Sequence, residues 1–209
     1  DDAEAACVSS GMAAISATLL TILSAGDHIV SDSCLYGCTH SLFEEQFPRF
    51  GIEVDFIDTS IPGAVAKAMK PNTKVVYFET PSNPTMKIIE IERVVREAHT
   101  YNTPDGHDVY VIIDNTFCSP IITRGLDHGA DVIVQSMTKY INGHTDVVGG
   151  SICSRNKALI RKIKGNGIKD ITGAVLSPHD AFLVQRGLLT LDLRVRKAAE
   201  NAMKMAEFL

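Results

Sequence analysis

The sequence DVIVQSMTK, residues 131–139, decides the fold of this chain. Its first part is an apolar run that predicts a buried strand, and Lys139 follows just beyond the carboxyl end of that strand. Upstream, Val109–Ile113 is a second apolar run, and it ends at Asp114. Open α/β sheets bind ligands in the crevice at the carboxyl ends of their strands, so we expect Lys139 and Asp114 to face one crevice.

Outward from these two runs, helix and strand patterns alternate along the chain. This alternation predicts a three-layer α/β/α fold with a mostly parallel sheet. The further predicted strands are His28–Val30, Val54–Ile57, Lys74–Glu79 and Val147–Cys153. The predicted helices are Met12–Leu23, Tyr36–Phe50, Pro62–Met69, Ile88–His99, Asn156–Lys164, Pro178–Thr190 and 191–209. The last helix is expected to pack through an inner face formed by Val195, Ala198, Ala199, Ala202, Met203 and Ala206.

Composition narrows the class of protein. The chain has 209 residues, 45% hydrophobic and 22% charged, which is ordinary for a globular domain. The net charge is −5 with scattered Lys and Arg, which argues against partners such as nucleic acid or an anionic membrane. The most apolar stretch, Ala13–Ala25, is too short to span a bilayer. Five cysteines show no metal-binding spacing, so we expect no metal and free thiols in a reducing compartment, the cytoplasm.

Lys139 and Asp114 each allow two interpretations. Lys139 is either a solvated surface charge or a reactive amine, and Asp114 is either a hydrogen-bond acceptor of a loop or the partner of a cationic group. A lysine and an aspartate in one crevice, with the hydroxyls of Ser136 and Thr138 beside the lysine, are what a pyridoxal phosphate site needs. The lysine would bond to the cofactor, the aspartate would keep its ring nitrogen protonated, and hydroxyls would bind its phosphate.

Two further features fit such a site, although each also has an ordinary explanation. Ser9-Ser10-Gly11-Met12 begins the first helix, where free N–H groups bind phosphate, but Ser and Gly begin many helices. Tyr36 follows the second strand of the chain, where it could stack on a flat ring or simply pack in the core.

Taken together, these stretches resemble the Cys/Met-metabolism family of pyridoxal phosphate enzymes. The resemblance covers nearly the whole chain, in order. It rests on Ser-Ser-Gly-Met at 9–12, Tyr-Gly at 36–37, Glu-Thr-Pro-Ser-Asn-Pro at 79–84, Asp-Asn-Thr-Phe at 114–117, Ser-Met-Thr-Lys-Tyr-Ile-Asn-Gly-His at 136–144, Ser-Pro-His-Asp at 177–180 and Arg-Gly-Leu at 186–188.

The resemblance implies a fold type I large domain, pyridoxal 5'-phosphate as cofactor, and particular residue roles. Lys139 would carry the cofactor and shuttle protons, and Asp114 would pair with the ring nitrogen. Tyr36 would stack on the ring and protonate the leaving thiolate, and Asn83 would hydrogen-bond the ring hydroxyl. Phosphate binding would fall to Gly11, Met12, Ser136 and Thr138.

Within the family, two positions resemble the methionine γ-lyase subgroup. Cys38 stands where related enzymes have a small residue, so it would line the pocket of the substrate side chain. Lys169 and Asp170 would reach toward the cysteine region of an active site, as a contact with a neighbouring subunit. The implied reaction is elimination of methanethiol from L-methionine, a small sulfur amino acid. The alternatives are a cystathionine γ-lyase, a γ-replacement enzyme, and, from another class, a catalytically silent assembly domain.

The family pattern also predicts the organisation of the chain. Residues 1–190 would be the cofactor-binding large domain, incomplete at its N-terminus. Residues 191–209 would begin a helix that leads to a C-terminal domain. Family members are longer and share their sites between subunits, so the resemblance implies a homo-oligomer, a tetramer, and weak cofactor binding by these residues alone.

Overall fold

The computed structural model describes residues 2–209, so residue 1 of the predicted 1–190 domain lies outside the described residues. Seven strands form a single sheet in the described chain. The strands are β1 (Glu4–Val8), β2 (His28–Asp32), β3 (Glu53–Ile57), β4 (Thr73–Glu79), β5 (Tyr110–Asp114), β6 (Val132–Ser136) and β7 (Gly150–Ser154). The α-helices are α1 (Gly11–Ile22), α2 (Gly37–Ser41), α3 (Ala64–Ala68), α4 (Ile91–His99), α5 (Ser119–Ile122), α6 (Lys157–Lys162), α7 (Pro178–Leu188) and α8 (Leu191–Phe208).

The sheet has the strand order β1-β7-β6-β5-β4-β2-β3. The five strands β2 to β6 are parallel to one another, whereas β7 runs antiparallel to both β6 and β1. The prediction of a mostly parallel α/β sheet is therefore confirmed.

Hydrophobic cores on both faces of the sheet explain why its central strands are almost wholly apolar. Successive side chains of a strand point to opposite faces. Val75, Tyr77 and Ile112 accordingly pack in one core with α1, whereas Val76 and Val111 pack in a second core with α3 and α4. Burial on both faces is the usual environment of a parallel strand. Polar side chains of these strands are therefore expected at the strand ends.

The polar residues lie where the central strands end. Glu79, Asp114 and Ser136 are the last residues of β4, β5 and β6. The chain passes from β2 outward to β3 in one direction, and from β4 through β5 to β6 in the other. Since strand order reverses between β2 and β4, the crevice at these carboxyl ends is the place where such sheets bind ligands.

Two edge features differ from the sequence prediction. Strand β1 was not predicted, because Glu-Ala-Ala-Cys-Val has little β-propensity of its own. It is held by its antiparallel pairing with β7, in which Glu4 lies opposite Ser154. The strand predicted from Val147 begins only at Gly150, after the loop in which Gly149 receives a hydrogen bond from Met137.

Several helices also differ from their predicted bounds. The helix predicted over Tyr36–Phe50 begins at Gly37 and continues as a π-helical turn and then a 3₁₀ turn, because Pro48 has no N–H to continue an α-helix. The helix predicted from Ile88 begins at Ile91, since the Ile89 N–H donates to Thr80 Oγ1 at 3.0 Å.

The predicted inner face of the last helix was wrong over its final turns. Val195 is buried, whereas Ala202, Met203 and Ala206 are exposed. None of the helices described in residues 2–209 combines the length and the apolar character that a membrane span requires.

Candidate active site

A cavity of about 410 Å³ lies at the carboxyl ends of β4, β5 and β6. Its walls come from segments far apart in the sequence, which only the sheet brings together. The lining residues are Ser10, Gly11, Met12, Ile15, Tyr36, Glu79, Pro81, Asn83, Asp114, Thr116, Phe117, Ser136, Thr138, Lys139 and Val148.

The N-terminus of α1 forms one end of the cavity. Ser10 caps this helix, since its Oγ accepts a hydrogen bond from the Ala13 N–H at 3.0 Å. The N–H groups of Gly11 and Met12 belong to the first turn, where a helix offers no acceptor of its own. A Cβ at Gly11 would lie 2.9 Å from the Cβ of Ser136, so glycine allows the helix end to approach the end of β6. This end of the cavity suits an anion.

Two hydroxyl residues stand beside this helix end. Ser136 lies on the cavity wall, and its N–H donates to Thr116 Oγ1 at 2.8 Å. Thr138 Oγ1 accepts a hydrogen bond from the Gly149 N–H at 3.1 Å. These backbone bonds fix the turn that carries both hydroxyls, so a phosphate would meet hydroxyls and helix N–H groups together.

Asp114 presents a carboxyl group deep in the cavity. Its Oδ1 accepts the Thr116 N–H at 2.9 Å, and the Thr116 side chain also bonds to this carboxyl. Burial raises the pKa of Asp114, while the contacts with Thr116 lower it. No cationic side chain of the described chain pairs with this carboxyl. A protonated ring nitrogen would supply the missing positive charge.

Lys139 lies on the cavity wall, in the turn that follows β6. Its N–H donates to the Ser136 carbonyl at 3.3 Å, and its own carbonyl accepts from the Gly143 N–H at 2.8 Å. The side chain also borders an open groove on its far side, which includes Tyr140 and Arg194. Lys139 therefore lines both the cavity and this groove.

Tyr36 lies at the mouth of the cavity, and Cys38 contacts it from outside the cavity lining. Tyr36 is 43% exposed, and the Cys38 Sγ donates to its hydroxyl oxygen at 3.4 Å. The contact with Cys38 raises the pKa of the Tyr36 hydroxyl. Like any tyrosine with an ordinary or raised pKa, Tyr36 carries its proton at neutral pH, which is the state in which it can act as a proton donor.

Glu79 and Thr116 are cavity residues that the sequence interpretation did not single out. Glu79 ends β4 as Asp114 ends β5, and the two lie opposite each other in the parallel register. The rule that placed Asp114 in the crevice would have placed Glu79 there too. Burial, and then the charge of Asp114, raise the pKa of Glu79 to about 8.

All eight residues predicted for the cofactor line this cavity: Gly11, Met12, Tyr36, Asn83, Asp114, Ser136, Thr138 and Lys139. Cys38 touches the cavity only through Tyr36. Lys169 and Asp170 lie elsewhere, in the π-helical segment after α6, where they form an exposed ion pair of 3.2 Å. Their contact with a neighbouring subunit stays a prediction.

The residues present fit pyridoxal phosphate. A helix end with two hydroxyls matches a phosphate, a buried carboxyl without a cationic partner matches a ring nitrogen, and a lysine stands on the same wall. Among residues 2–209, no cluster of three or more His, Cys, Asp or Glu side chains is arranged to hold a metal ion.

Sheet topology and cavity together define the large domain of a fold type I pyridoxal phosphate enzyme. The chain belongs to the family described as Cys/Met metabolism PLP-dependent enzyme, which it matches over residues 1–209. The predicted family is thereby confirmed, and with it the pyridoxal phosphate dependence that defines the family.

Three similar proteins place the chain within that family. It is 50% identical to an L-methionine gamma-lyase of Fusobacterium nucleatum subsp. polymorphum, over 100% of this chain and 52% of the relative. It is 46% identical to an L-methionine gamma-lyase of Treponema denticola, over 98% of this chain and 50% of the relative. The crystal structure of a cystathionine gamma-lyase from Lactobacillus plantarum, complexed with L-serine, superposes with a TM-score of 0.89 at 37% identity, over 98% of this chain and 51% of that one. The chain thus spans about half the length of the relatives it matches.

Proposed function

We propose that this chain is the cofactor-binding domain of a carbon–sulfur lyase that cleaves L-methionine by α,γ-elimination. With one water, the products are methanethiol, 2-oxobutanoate and ammonia. The observation that supports this most directly is the contact between Cys38 and the Tyr36 hydroxyl, 3.4 Å long, at the mouth of the cavity that contains Lys139 and Asp114. The names of the two relatives with the higher identity agree with it.

Each of these residues has a role in the proposed reaction. When bound, pyridoxal phosphate accepts the electron pair released as protons leave the substrate carbons. Asp114 holds the proton on the ring nitrogen. Lys139 Nζ takes the proton from the substrate Cα and later moves a proton at Cβ. The Tyr36 hydroxyl gives its proton to the departing sulfur, and Cys38, which contacts that hydroxyl, borders the thioether.

The test is an assay of methanethiol release by the complete gene product and its Lys139→Ala variant. The variant is expected to lose turnover, because one amine serves both as attachment point and as proton shuttle, and to retain noncovalent cofactor binding. The Lys157→Ala variant is the control, since Lys157 begins α6 outside the cavity. Turnover by Lys139→Ala at the wild-type rate would refute the assignment.

A second candidate is a cystathionine γ-lyase or a γ-replacement enzyme. The superposition on a cystathionine gamma-lyase structure favours it. Comparing kcat/KM for methionine, cystathionine and O-acetylhomoserine separates the two candidates, because this ratio reports the relative stabilisation of each transition state. The third candidate is a catalytically silent assembly domain. Such a domain would show no absorbance band of bound cofactor after addition of pyridoxal phosphate.

We further propose that the complete protein works in the cytoplasm as a homo-oligomer, a tetramer. Large apolar side chains on α7, on α8 and in the turn between them are open to solvent in the single chain, among them Phe182, Leu189 and Leu193. Exposure of such side chains is unfavourable, which supports their burial against other protein surfaces. Light scattering of the purified protein measures the assembly mass directly.

A further inference from the structure

Glu79 connects two loops at the mouth of the cavity. It is the last residue of β4, and only 5% of its surface is exposed. Its Oε1 accepts the Tyr36 N–H at 2.8 Å, and its Oε2 accepts the Asn83 N–H at 3.3 Å. The two oxygens of one buried carboxyl group thus bind backbone N–H groups from two separate loops.

These two loops carry side chains that face the same cavity. Tyr36 belongs to the loop that follows β2, and Asn83 belongs to the loop that follows β4. Further contacts between the segments at the carboxyl ends of β2 and β4 involve side chains that do not line the cavity. Cys34 Sγ contacts Thr85 Oγ1 at 3.0 Å and the Asn83 carbonyl at 3.7 Å, and Lys87 Nζ donates to Asp32 at 2.9 Å. The Glu79 carboxyl group is thus the contact that joins the backbones of Tyr36 and Asn83 themselves at the cavity.

We propose that Glu79 is a positioning residue, whose carboxyl group holds the Tyr36 and Asn83 loops at the spacing that the cofactor ring requires. This inference rests on the proposed function, because it assigns Glu79 a task toward the cofactor of that site. Glu79 itself needs no contact with substrate, since it acts through the two backbone N–H groups.

The neighbourhood of Glu79 links this task to cofactor binding. Burial raises the pKa of Glu79 to about 8, and the charge of Asp114 adds to the shift. A cation against Asp114 offsets the second cause and favours the ionised form of Glu79. An ionised carboxylate accepts N–H groups more strongly than a neutral carboxyl does. Arrival of the cofactor should therefore tighten both loops.

Glu97 provides a matched control for the Glu79→Gln variant. It also accepts two backbone N–H groups, from Gly63 at 2.9 Å and Ala66 at 3.3 Å, but it lies on α4 outside the cavity. In each Gln variant the amide oxygen can accept one N–H, while the amide nitrogen opposes the other. Glu97 also pairs with Arg93 at 2.9 Å, so Glu97→Gln should lose at least as much thermal stability as Glu79→Gln. Only Glu79→Gln should disturb the cofactor.

The experiment uses the complete gene product and pyridoxal phosphate, and it measures cofactor affinity and the circular dichroism of the bound cofactor. Glu79→Gln should raise the cofactor Kd by about tenfold or more and reduce the dichroism, because one hydrogen bond to a charged group is lost. Glu97→Gln should leave both near the wild-type values. Equal cofactor Kd and dichroism in Glu79→Gln and wild type would overturn the proposal.

Amide hydrogen exchange tests the same idea in the unmutated protein. The Tyr36 and Asn83 amides should exchange slowly without cofactor, and more slowly still with it. Exchange of both amides at the rate of unbonded loop amides would overturn the proposal even if Glu79→Gln fails to fold. Failure of the wild type to bind pyridoxal phosphate would instead refute the proposed function, while amide protection without cofactor would still report on the Glu79 contacts.

Discussion

At the scale of single residues, Asp114 has the most sharply defined chemistry. The Asp114→Asn variant keeps the size of the side chain but cannot hold a proton on the ring nitrogen. We expect kcat to fall by roughly 10²-fold or more, and cofactor Kd to change much less. The two quantities should be measured together, with Asp131→Asn as control. Asp131 also accepts a backbone N–H, from Val111 at 2.7 Å, but it lies outside the cavity. An unchanged kcat in Asp114→Asn would refute the role.

Cys38 is the residue on which substrate preference is expected to depend. The Cys38→Gly variant removes the thiol that donates to the Tyr36 hydroxyl at 3.4 Å, and it opens space at the mouth of the cavity. We expect preference to shift from methionine toward the bulkier cystathionine. The measurement is the ratio of the two kcat/KM values. Cys7→Gly serves as control, since Cys7 lies on the edge strand β1. If the ratio does not move, Cys38 has no part in specificity and the methionine assignment weakens.

Individual residues of the cavity could be predicted from the sequence where they follow an apolar strand or stand in a family motif. Asp114 and Lys139 were found because each follows an apolar run, and Asn83 because it stands in a motif. Glu79 obeys the same rule as Asp114, but it was placed only in a strand and in the motif at 79–84 and was given no role of its own. Thr116 could not be found in this way, since its bonds to Asp114 and Ser136 join two strands that are distant in sequence.

At the scale of elements, the cap of α1 should matter for both stability and binding. The Ser10→Ala variant loses the acceptor for the Ala13 N–H, and Ser177→Ala loses the equivalent acceptor for the Asp180 N–H at the start of α7. Each should cost about 1 kcal/mol of unfolding free energy. Only Ser10→Ala should also raise the cofactor Kd, because fraying of α1 displaces the Gly11 and Met12 N–H groups. Denaturant unfolding and cofactor titration check this, and equal Kd values in the two variants would contradict it.

Elements were predictable where the local pattern and the tertiary environment agree. The central strands were, because burial on both faces produces continuous apolar runs. Strand β1 was not, because only its pairing with β7 makes it a strand. The exposed final turns of α8 were misjudged for a related reason. Its alanines and methionines mark an apolar face, and such a pattern does not say which surface the face will meet.

At the scale of the whole molecule, sequence pattern indicated the α/β class, while the motifs indicated the family. The order of strands was not predicted from the pattern. In particular, the antiparallel β7 and the edge strand β1 follow from long-range pairing. That order matters for function, because the reversal between β2 and β4 brings Tyr36 to the same crevice as Asp114 and Lys139.

The titration of Glu79 should make the unfolding free energy of the cofactor-free protein depend on pH. Its pKa is raised from 4.5 to about 8 in the folded protein. Between these values the native state keeps a proton that the unfolded chain has lost, so the unfolding free energy falls as pH rises. The stabilisation from protonated Glu79 is fully present below pH 4.5 and is lost as pH rises through 8. Between these values the unfolding free energy falls by up to about 1.4 kcal/mol per pH unit.

Other groups titrate in the same window, so the prediction is a difference between two proteins. The pKa of His28 is lowered by burial, and the pKa of His99 is raised by Asp131, so both add their own slopes near neutral pH. Unfolding free energy is therefore measured against pH for both proteins. Subtracting the values of Glu79→Gln from those of the wild type removes the histidine contributions. We expect the difference in unfolding free energy between wild type and Glu79→Gln to fall steadily from pH 5 to pH 8. Pyridoxal phosphate should make this difference depend less on pH, because a cation beside Asp114 lowers the pKa of Glu79. A difference that does not vary with pH would mean that Glu79 is already ionised in the folded, cofactor-free protein.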